Sequence, residues 1–448
     1  MKGGGSCMIY SLIICQIIKI IFYPSNIFIL MKKIISVTTF LILINVPFSN
    51  ENNLSPAANF DGYHNCIREW WNLDAFIHAD KNYSITASFE YEKETPAANL
   101  FFTIFDWDEN KVYNGSSYGD NISVMRCQGK SDIEITYKNS WMRGSYPHYI
   151  FHFENSDMIA EINLLALSPP QFVAGGQGGV LPMGLGYYKY LFVPKCKVDG
   201  WILIEGERKN ITGVGYYEHV WGNWSYHHPL KGATIKPYIN LTKWWWKNKN
   251  ISMDEVAISS NNPFGYDWAW ISFDNGWTLF YGTIPFWVEG IPFSIFYLYD
   301  GVKVIEFGNI WYKYVDGVFY DGTYIPTKIK VVGKGEYKLY FTMEMDHSPH
   351  VYEDNIPSFL WKSLLLYECP GRVTGYSENE SGERMNLTGV CEMEIERQIS
   401  IFQYFLFKIS PLQNGFEFLF LSTLLNAMFT MNITLFPFSV NFSFSNIR

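Results

Sequence analysis

The densest chemistry in the chain lies in twelve residues, Gly213-Val214-Gly215-Tyr216-Tyr217-Glu218-His219-Val220-Trp221-Gly222-Asn223-Trp224. Strand side chains alternate between two faces. Tyr216, Glu218 and Val220 therefore share one face, and Tyr217, His219 and Trp221 share the other. Glycine permits positive φ and close backbone approach, so Gly213, Gly215 and Gly222 predict a strand that bends at both ends. A carboxylate facing aromatic surroundings is driven towards its neutral form, because low dielectric disfavours charge. A neutral carboxylic acid among rings is suited to protonating a C=C or C=O bond. Glu218, His219 and Tyr216 are thus the candidate catalytic residues, with Tyr216 placed to position a ligand or stabilise developing charge. The plain structural alternative is a buried hydrogen bond tying the strand to a neighbouring loop.

Other candidates read as structural. Glu69, beside Trp70 and Trp71, is expected to be a solvent-facing carboxylate next to core indoles. Asp267 heads a strand and fits a turn cap equally well. Asp346-His347-Ser348-Pro349-His350 has metal-like residue types but sits before a proline turn without a regularly spaced third ligand. The adjacent His227 and His228 diverge in extended chain. The Gly175–Gly179 region lacks the Lys-Ser/Thr ending of a phosphate loop and reads as a surface loop, with a lid over a barrel mouth as its candidate role. There is no Gly-x-Ser-x-Gly elbow and no Cys-x-x-Cys pair. No metal and no cofactor are expected.

The elements that must carry these residues are strands. Runs at 83–91, 99–107, 122–126, 132–137, 149–153 and 158–167 follow one another at meander spacing. Asn114-Gly115 and Asp199-Gly200 are hairpin-turn dipeptides. After a connection at 226–262, which holds Trp244-Trp245-Trp246 among lysines, strands resume at 268–273 and 277–281. Further runs follow at 293–298, 302–307, 310–314, 325–332, 337–345 and 389–396. Asp-Gly and Gly-x-Gly punctuation every eight to ten residues or so marks an antiparallel barrel or sandwich. A short helix is expected at 358–366.

The motif Gly-x-Gly-Tyr-x-Glu-His-x-Trp-Gly resembles the Gly-x-Gly-Tyr-x-Asp-His-Asn-Trp-Gly signature of the AttH/CrtC group. That group includes the carotenoid hydratases (hydroxyneurosporene synthase) and, more distantly, fungal Diels–Alderases. Arg68-Glu69-Trp70-Trp71-Asn72-Leu73 is similar to the group's Glu-Trp-Trp-Tyr opening. Asp267-Trp268-Ala269-Trp270-Ile271-Ser272, followed by Asp274-Asn275-Gly276-Trp277, is similar to the start of its second domain. The three matches stand in the right order and span roughly residues 60–400. Glu218 replaces the usual Asp and Val220 the usual Asn, which keeps the acid and loses an amide partner.

Composition bounds the partners. At 448 residues the chain has room for two domains. A formal net charge of −9 argues against a nucleic-acid partner. The aromatic fraction, 18%, fits large β cores and equally a pocket for a large apolar ligand. Met31-Lys32-Lys33 and the apolar run 34–46 resemble a secretory signal peptide at 31–50. For residues 1–30 an extra membrane segment competes with translated upstream sequence before a true start at Met31, and the clean Met-Lys-Lys start favours the second. Residues 418–440, inside a 416–440 segment, are uncharged over a length able to span a bilayer. They read as a C-terminal membrane anchor. Sequons at Asn53, Asn82, Asn114, Asn121, Asn210, Asn223, Asn240, Asn250, Asn379, Asn386, Asn432 and Asn441 fit export. In an oxidising compartment Cys369–Cys391 and Cys66–Cys127 are plausible bridges, leaving Cys196 over.

These readings combine into an all-β, extracytoplasmic, membrane-associated protein of two tandem lipocalin-like antiparallel β-barrels, at 60–225 and 263–400. The expected ligand is an apolar small molecule, an isoprenoid or other lipid, held by Trp70, Trp71, Trp221, Trp224, Trp268 and Trp270. Glu218 would protonate it, with hydration or isomerisation as the outcome. The alternative is a non-catalytic lipid carrier or surface ligand-binding protein. Glu218 lining a cavity favours the enzyme, and Glu218 locked to backbone favours the carrier.

Overall fold

The computed structural model describes residues 61–155, 157–173, 179–183, 186–228, 230–234, 236–237, 239–240, 257–258, 265–283, 288–289, 294–307, 309–320, 323–355 and 361–400. The signal-like segment, the N-terminal extension, the tryptophan triplet, most of the glycine-rich loop and the C-terminal apolar run lie outside them. Among the described residues no helix is long and apolar enough to cross a membrane.

Two curled antiparallel sheets make the fold, as the strand punctuation predicts. Nine strands frame the site: β1 (Arg68–His78), β2 (Asn82–Glu92), β3 (Ala97–Asp106), β4 (Gly186–Ile204) and β5 (Glu207–Asn223) in the first sheet, and β6 (Gly265–Phe273), β7 (Thr278–Thr283), β8 (Trp361–Glu378) and β9 (Arg384–Ser400) in the second. Among the described residues the first sheet has 14 strands, with β3, β2, β1, β5 and β4 side by side and the strands between Met125 and Ala166 continuing it. The second has ten described strands, with β7, β6, β9 and β8 adjacent. β5 pairs with β1 so that Asn72 faces Glu218, and with β4 so that Phe192 faces Glu218.

Alternation explains the cores. Leu73, Ala75, Ile85, Ala87, Phe89, Phe102 and Tyr217 point into the first barrel, where Phe151 and Ile162 meet them. Ile271, Tyr281, Phe296, Phe341, Met393 and Ile395 fill the second. The outward residues behave differently from a solvated barrel. Ser84, Thr86, Ser88, Glu90 and Glu92 of β2 alternate with the core positions, yet all are buried. A third cluster explains why. Tyr190, Phe192 and Tyr216 of the first sheet, with Trp224 just after β5, pack with Trp268, Trp270 and Phe280 of the second, so the outer face of one sheet covers the outer face of the other.

Three local expectations are corrected. Asp199-Gly200 does not turn. β4 continues through it, and the hairpin closes at Glu205-Gly206, whose φ values of 54° and 80° give the paired left-handed geometry of a tight turn. The helix expected at 358–366 is strand from Trp361 onward, because Leu364, Leu365 and Leu366 pair with Gln398, Arg397 and Glu396 of β9. All five described cysteines are free. Cys369 faces Met393 and Cys391 faces Gly371 across β8 and β9, so the two cysteines are offset by two residues rather than directly paired.

Candidate active site between the two sheets

β5 carries Glu218 as an unbroken strand, not one bent at its glycines. The glycines serve close approach: a Cβ on Gly222 would stand 2.2 Å from the Tyr187 carbonyl oxygen, and one on Gly215 2.7 Å from the Val198 side chain. None of Gly213, Gly215 or Gly222 adopts positive φ. Tight seating of β5 on β4 brings Tyr190 of β4 onto the face that holds Tyr216 and Glu218.

Glu218 is buried and held entirely by side chains. Trp70 Nε1 of β1 donates to its Oε1 at 2.9 Å. Tyr216 Oη donates to its Oε2 at 2.9 Å, and Tyr190 Oη makes a short hydrogen bond to the same oxygen. Tyr190 is in turn fixed from the second sheet, where Trp268 Nε1 of β6 donates to its Oη at 3.0 Å. Burial pushes the Glu218 carboxyl well above the usual carboxylate range. The Trp70 hydrogen bond opposes this, and the nearby Asp74 charge adds to it. Asp74 is itself pushed up to about 8, by burial above all.

Two narrow chambers meet at this carboxyl. An apolar one of about 50 Å³ is walled by Met183, Tyr188, Tyr190, Trp268, Phe280 and Ile295. A polar one of about 80 Å³ is walled by Arg68, Glu90, Tyr226, Glu368 and Glu396. Trp70, Asn72, Glu218, Tyr266 and Glu394 border both. Glu394 faces the junction from β9 and accepts from Tyr266 Oη. Burial raises its pKa well above the ordinary value, with the Glu368 and Glu218 charges adding to the effect. In the polar chamber Arg68 pairs with Glu90 and, at 3.2 Å, with Glu92. Tyr226 Oη donates to Glu396 at 2.8 Å, and the His350 ring meets Glu368 at 3.0 Å.

The expected site residues divide between the two faces of the first sheet. Glu218, Tyr216, Trp70 and Trp268 come together at the junction. Trp224 packs edge-on against Trp70 with centroids 5.5 Å apart. Trp270 is a strut: it stacks on Phe76 at 4.8 Å and donates to the Pro194 carbonyl at 3.1 Å. His219, Trp71 and Trp221 lie on the opposite face, away from Glu218. There His219 stacks on Trp71 and its Nε2 lies 2.9 Å from Glu69 Oε1. Glu69 is therefore not the solvent-facing carboxylate its sequence suggests. It is fully buried, accepts from Tyr91 Oη at 2.6 Å and meets His64 Nδ1 at 3.0 Å. Burial pushes it up, but hydrogen bonds from His219 and His64 outweigh that and hold it down at about 2. His64, Glu69 and His219 thus form a group of metal-ligand type that no sequence spacing announced.

Several site residues had no signal of their own. Tyr190 sits in an ordinary aromatic strand. Glu394 belongs to the alternating Glu392, Glu394 and Glu396 of the last strand. Three carboxylates opposite Cys391, Met393 and Ile395 were the available hint, and only a cover on that face turns it into a site.

By sequence the chain matches no family model and no curated protein. Solved structures do match. A protein of Nitrosomonas europaea assigned to AttH aligns at TM-score 0.52 with 16% identity, over 79% of this chain and all of that one. Kievitone hydratase from Nectria haematococca aligns at TM-score 0.51 with 13% identity, over 79% of this chain and 99% of that one. The AttH-like resemblance read in the three motifs is borne out as a fold of two tandem lipocalin-like barrels.

Proposed function

We propose that the chain is an acid-catalytic enzyme that binds a small apolar molecule, an isoprenoid or other lipid-like compound, between its two barrels. Glu218 then protonates it. The observation that carries this reading is a buried carboxyl, held by Trp70, Tyr190 and Tyr216, where an apolar and a polar chamber meet. Its bonds are to side chains and it lines a cavity, so the features that would mark a passive strut tied to backbone do not apply. Its neighbours Asp74 and Glu394 are acids, which favour the neutral form needed in a proton donor.

The chambers divide the work. The apolar chamber takes the hydrocarbon body, and its narrowness suits a slender chain. The Glu218 carboxyl gives its proton to one alkene carbon, leaving a carbocation on the other. The faces of Trp70, Tyr188, Trp268 and Phe280 stabilise that cation. Water from the polar chamber adds to the cation and returns its extra proton to the Glu218 carboxylate, so alkene and water become alcohol with the acid regenerated. Loss of a neighbouring C–H proton to the same carboxylate gives isomerisation instead. A hydratase on this fold, kievitone hydratase, is in keeping with the first outcome. The signal-like segment, the sequons and the C-terminal apolar run support an extracytoplasmic, membrane-associated setting.

The experiment is mass spectrometry of compounds carried by natively purified protein, followed by incubation of the released compound with fresh enzyme in ¹⁸O-labelled water. A carried isoprenoid or lipid that gains one labelled water with the native chain, and none with Glu218→Gln, supports hydration. An unlabelled product of unchanged mass but altered retention supports isomerisation. A carried compound that neither protein alters refutes the catalytic reading.

A further inference from the structure

We propose that His64, Glu69 and His219 form a binding site for a divalent transition metal of the Zn²⁺ type, on the face of β5 opposite Glu218. His64 Nδ1 and His219 Nε2 approach the same carboxylate oxygen, Glu69 Oε1, at 3.0 and 2.9 Å. The three candidate ligand atoms all lie within 4.8 Å of one another. Ligands about 2.0–2.1 Å from a tetrahedral Zn²⁺ stand about 3.3–3.4 Å apart. Two of the three spacings therefore need to open by only a few tenths of an ångström. The third, between the imidazoles, needs to close by at most about 1.5 Å to reach that spacing. His64 supplies the movement, since it lies before β1 and keeps 23% of its side chain exposed.

The surroundings orient the ligands. The His219 ring stacks on Trp71 at 4.7 Å and 18°, and the His64 ring on Trp221 at 4.0 Å and 8°. Tyr91 Oη donates to the second Glu69 oxygen at 2.6 Å, and the His64 backbone N–H donates to Oε1 at 3.1 Å. Outer contacts of this kind fix the rotamers of metal-binding imidazoles and carboxylates. Two imidazoles and one carboxylate suit Zn²⁺ and its transition-metal neighbours better than Mg²⁺ or Ca²⁺, which favour all-oxygen sets. Water would complete the coordination, as in other three-ligand zinc sites. The bound ion would clamp the segment before β1 onto β1 and β5. Because it uses the other face of the strand, it is independent of the acid at Glu218.

The test uses untagged full chain, stripped with chelator and titrated with Zn²⁺ by calorimetry and with Co²⁺ by visible absorption. The expected result is stoichiometric uptake, Co²⁺ d–d bands, and a rise in melting temperature on loading. Loss of uptake and bands is expected in His64→Ala and in Glu69→Gln, with both kept in Glu218→Gln and in His152→Ala. Should Glu69→Gln fail to fold, His64→Ala decides, because that ring sits at the exposed edge. Native protein that takes up no more Zn²⁺ than His64→Ala, or shows no d–d bands with Co²⁺, overturns the proposal and leaves the cluster a hydrogen-bonded clamp.

Discussion

Replacing Glu218 with Gln separates a neutral acid from an ionised strut, because the two predict different pH dependence of stability. The amide keeps the volume. Its oxygen still accepts from Trp70 Nε1, and its NH₂ can donate to the Tyr190 or Tyr216 hydroxyl, so no buried polar atom is orphaned. An unfolded glutamate titrates near 4.5, whereas burial raises the native pKa well above that value. Above pH 4.5 the native state therefore holds a proton that the unfolded chain has released. Wild type loses stability with rising pH, relative to the variant, by about 1.4 kcal/mol per pH unit for as long as Glu218 stays protonated. Between about pH 5 and pH 7 the variant should therefore gain on wild type as pH rises. Urea unfolding of both chains across that range, followed by tryptophan fluorescence, measures the difference. Turnover of the carried compound should fall about 10²- to 10⁴-fold, a barrier increase of about 3–5 kcal/mol. A stability difference that is flat in pH, with the variant the weaker protein, would mean an ionised Glu218 satisfied by its three donors. The proton-donor mechanism would then fail.

Tyr190→Phe removes a donor to the Glu218 carboxylate, so its pKa should rise further and the alkaline limb of the pH–rate profile should move to higher pH; a limb that stays put disconnects Tyr190 from the acid. Arg397 and Asp267 are fully buried and paired at 2.6 Å. Arg397→Met should cost about 3–5 kcal/mol by denaturant unfolding and Arg397→Met with Asp267→Asn much less, whereas equal losses would argue against an uncompensated charge as the cause. Gly222→Ala puts a Cβ against the backbone of Tyr187 and Tyr188, so β4 and β5 must separate. A melting temperature lowered by a loss of about 1–3 kcal/mol is expected, and an unchanged one would show that the two strands have slack. If the chain is exported, exposed sequons such as Asn82, Asn210 and Asn386 should carry glycans in glycopeptide maps of secreted protein. Asn223 should not, because its side chain bonds Tyr187 Oη at 3.1 Å and the Ile67 amide at 3.3 Å, and a glycan there would contradict this packing.

Strand alternation and turn punctuation were enough to read two antiparallel barrels, to divide Glu218 and Tyr216 from His219 and Trp221, and to single out Glu218 as the candidate acid. Those features are local: a strand's period is two whatever surrounds it, and Asp-Gly turns work within a few residues. Local rules misjudged Asp199-Gly200, where pairing with β5 carried the strand past its turn signal, and 361–366, where β9 claimed the segment as a strand. Alternation also says that a strand has two faces without saying what covers either. Glu90 and Glu92 alternate with core positions of β2, and the second sheet lies over that face and buries both. The same packing delivers Trp268 to Tyr190 from 78 residues away, and pairing of β1 with β5 brings Glu69 to His219. The sequence by itself determined the strands, their apolar faces and the presence of an acid among aromatics. Only the tertiary structure decided which carboxyls lose their water, because desolvation depends on atoms contributed by distant segments.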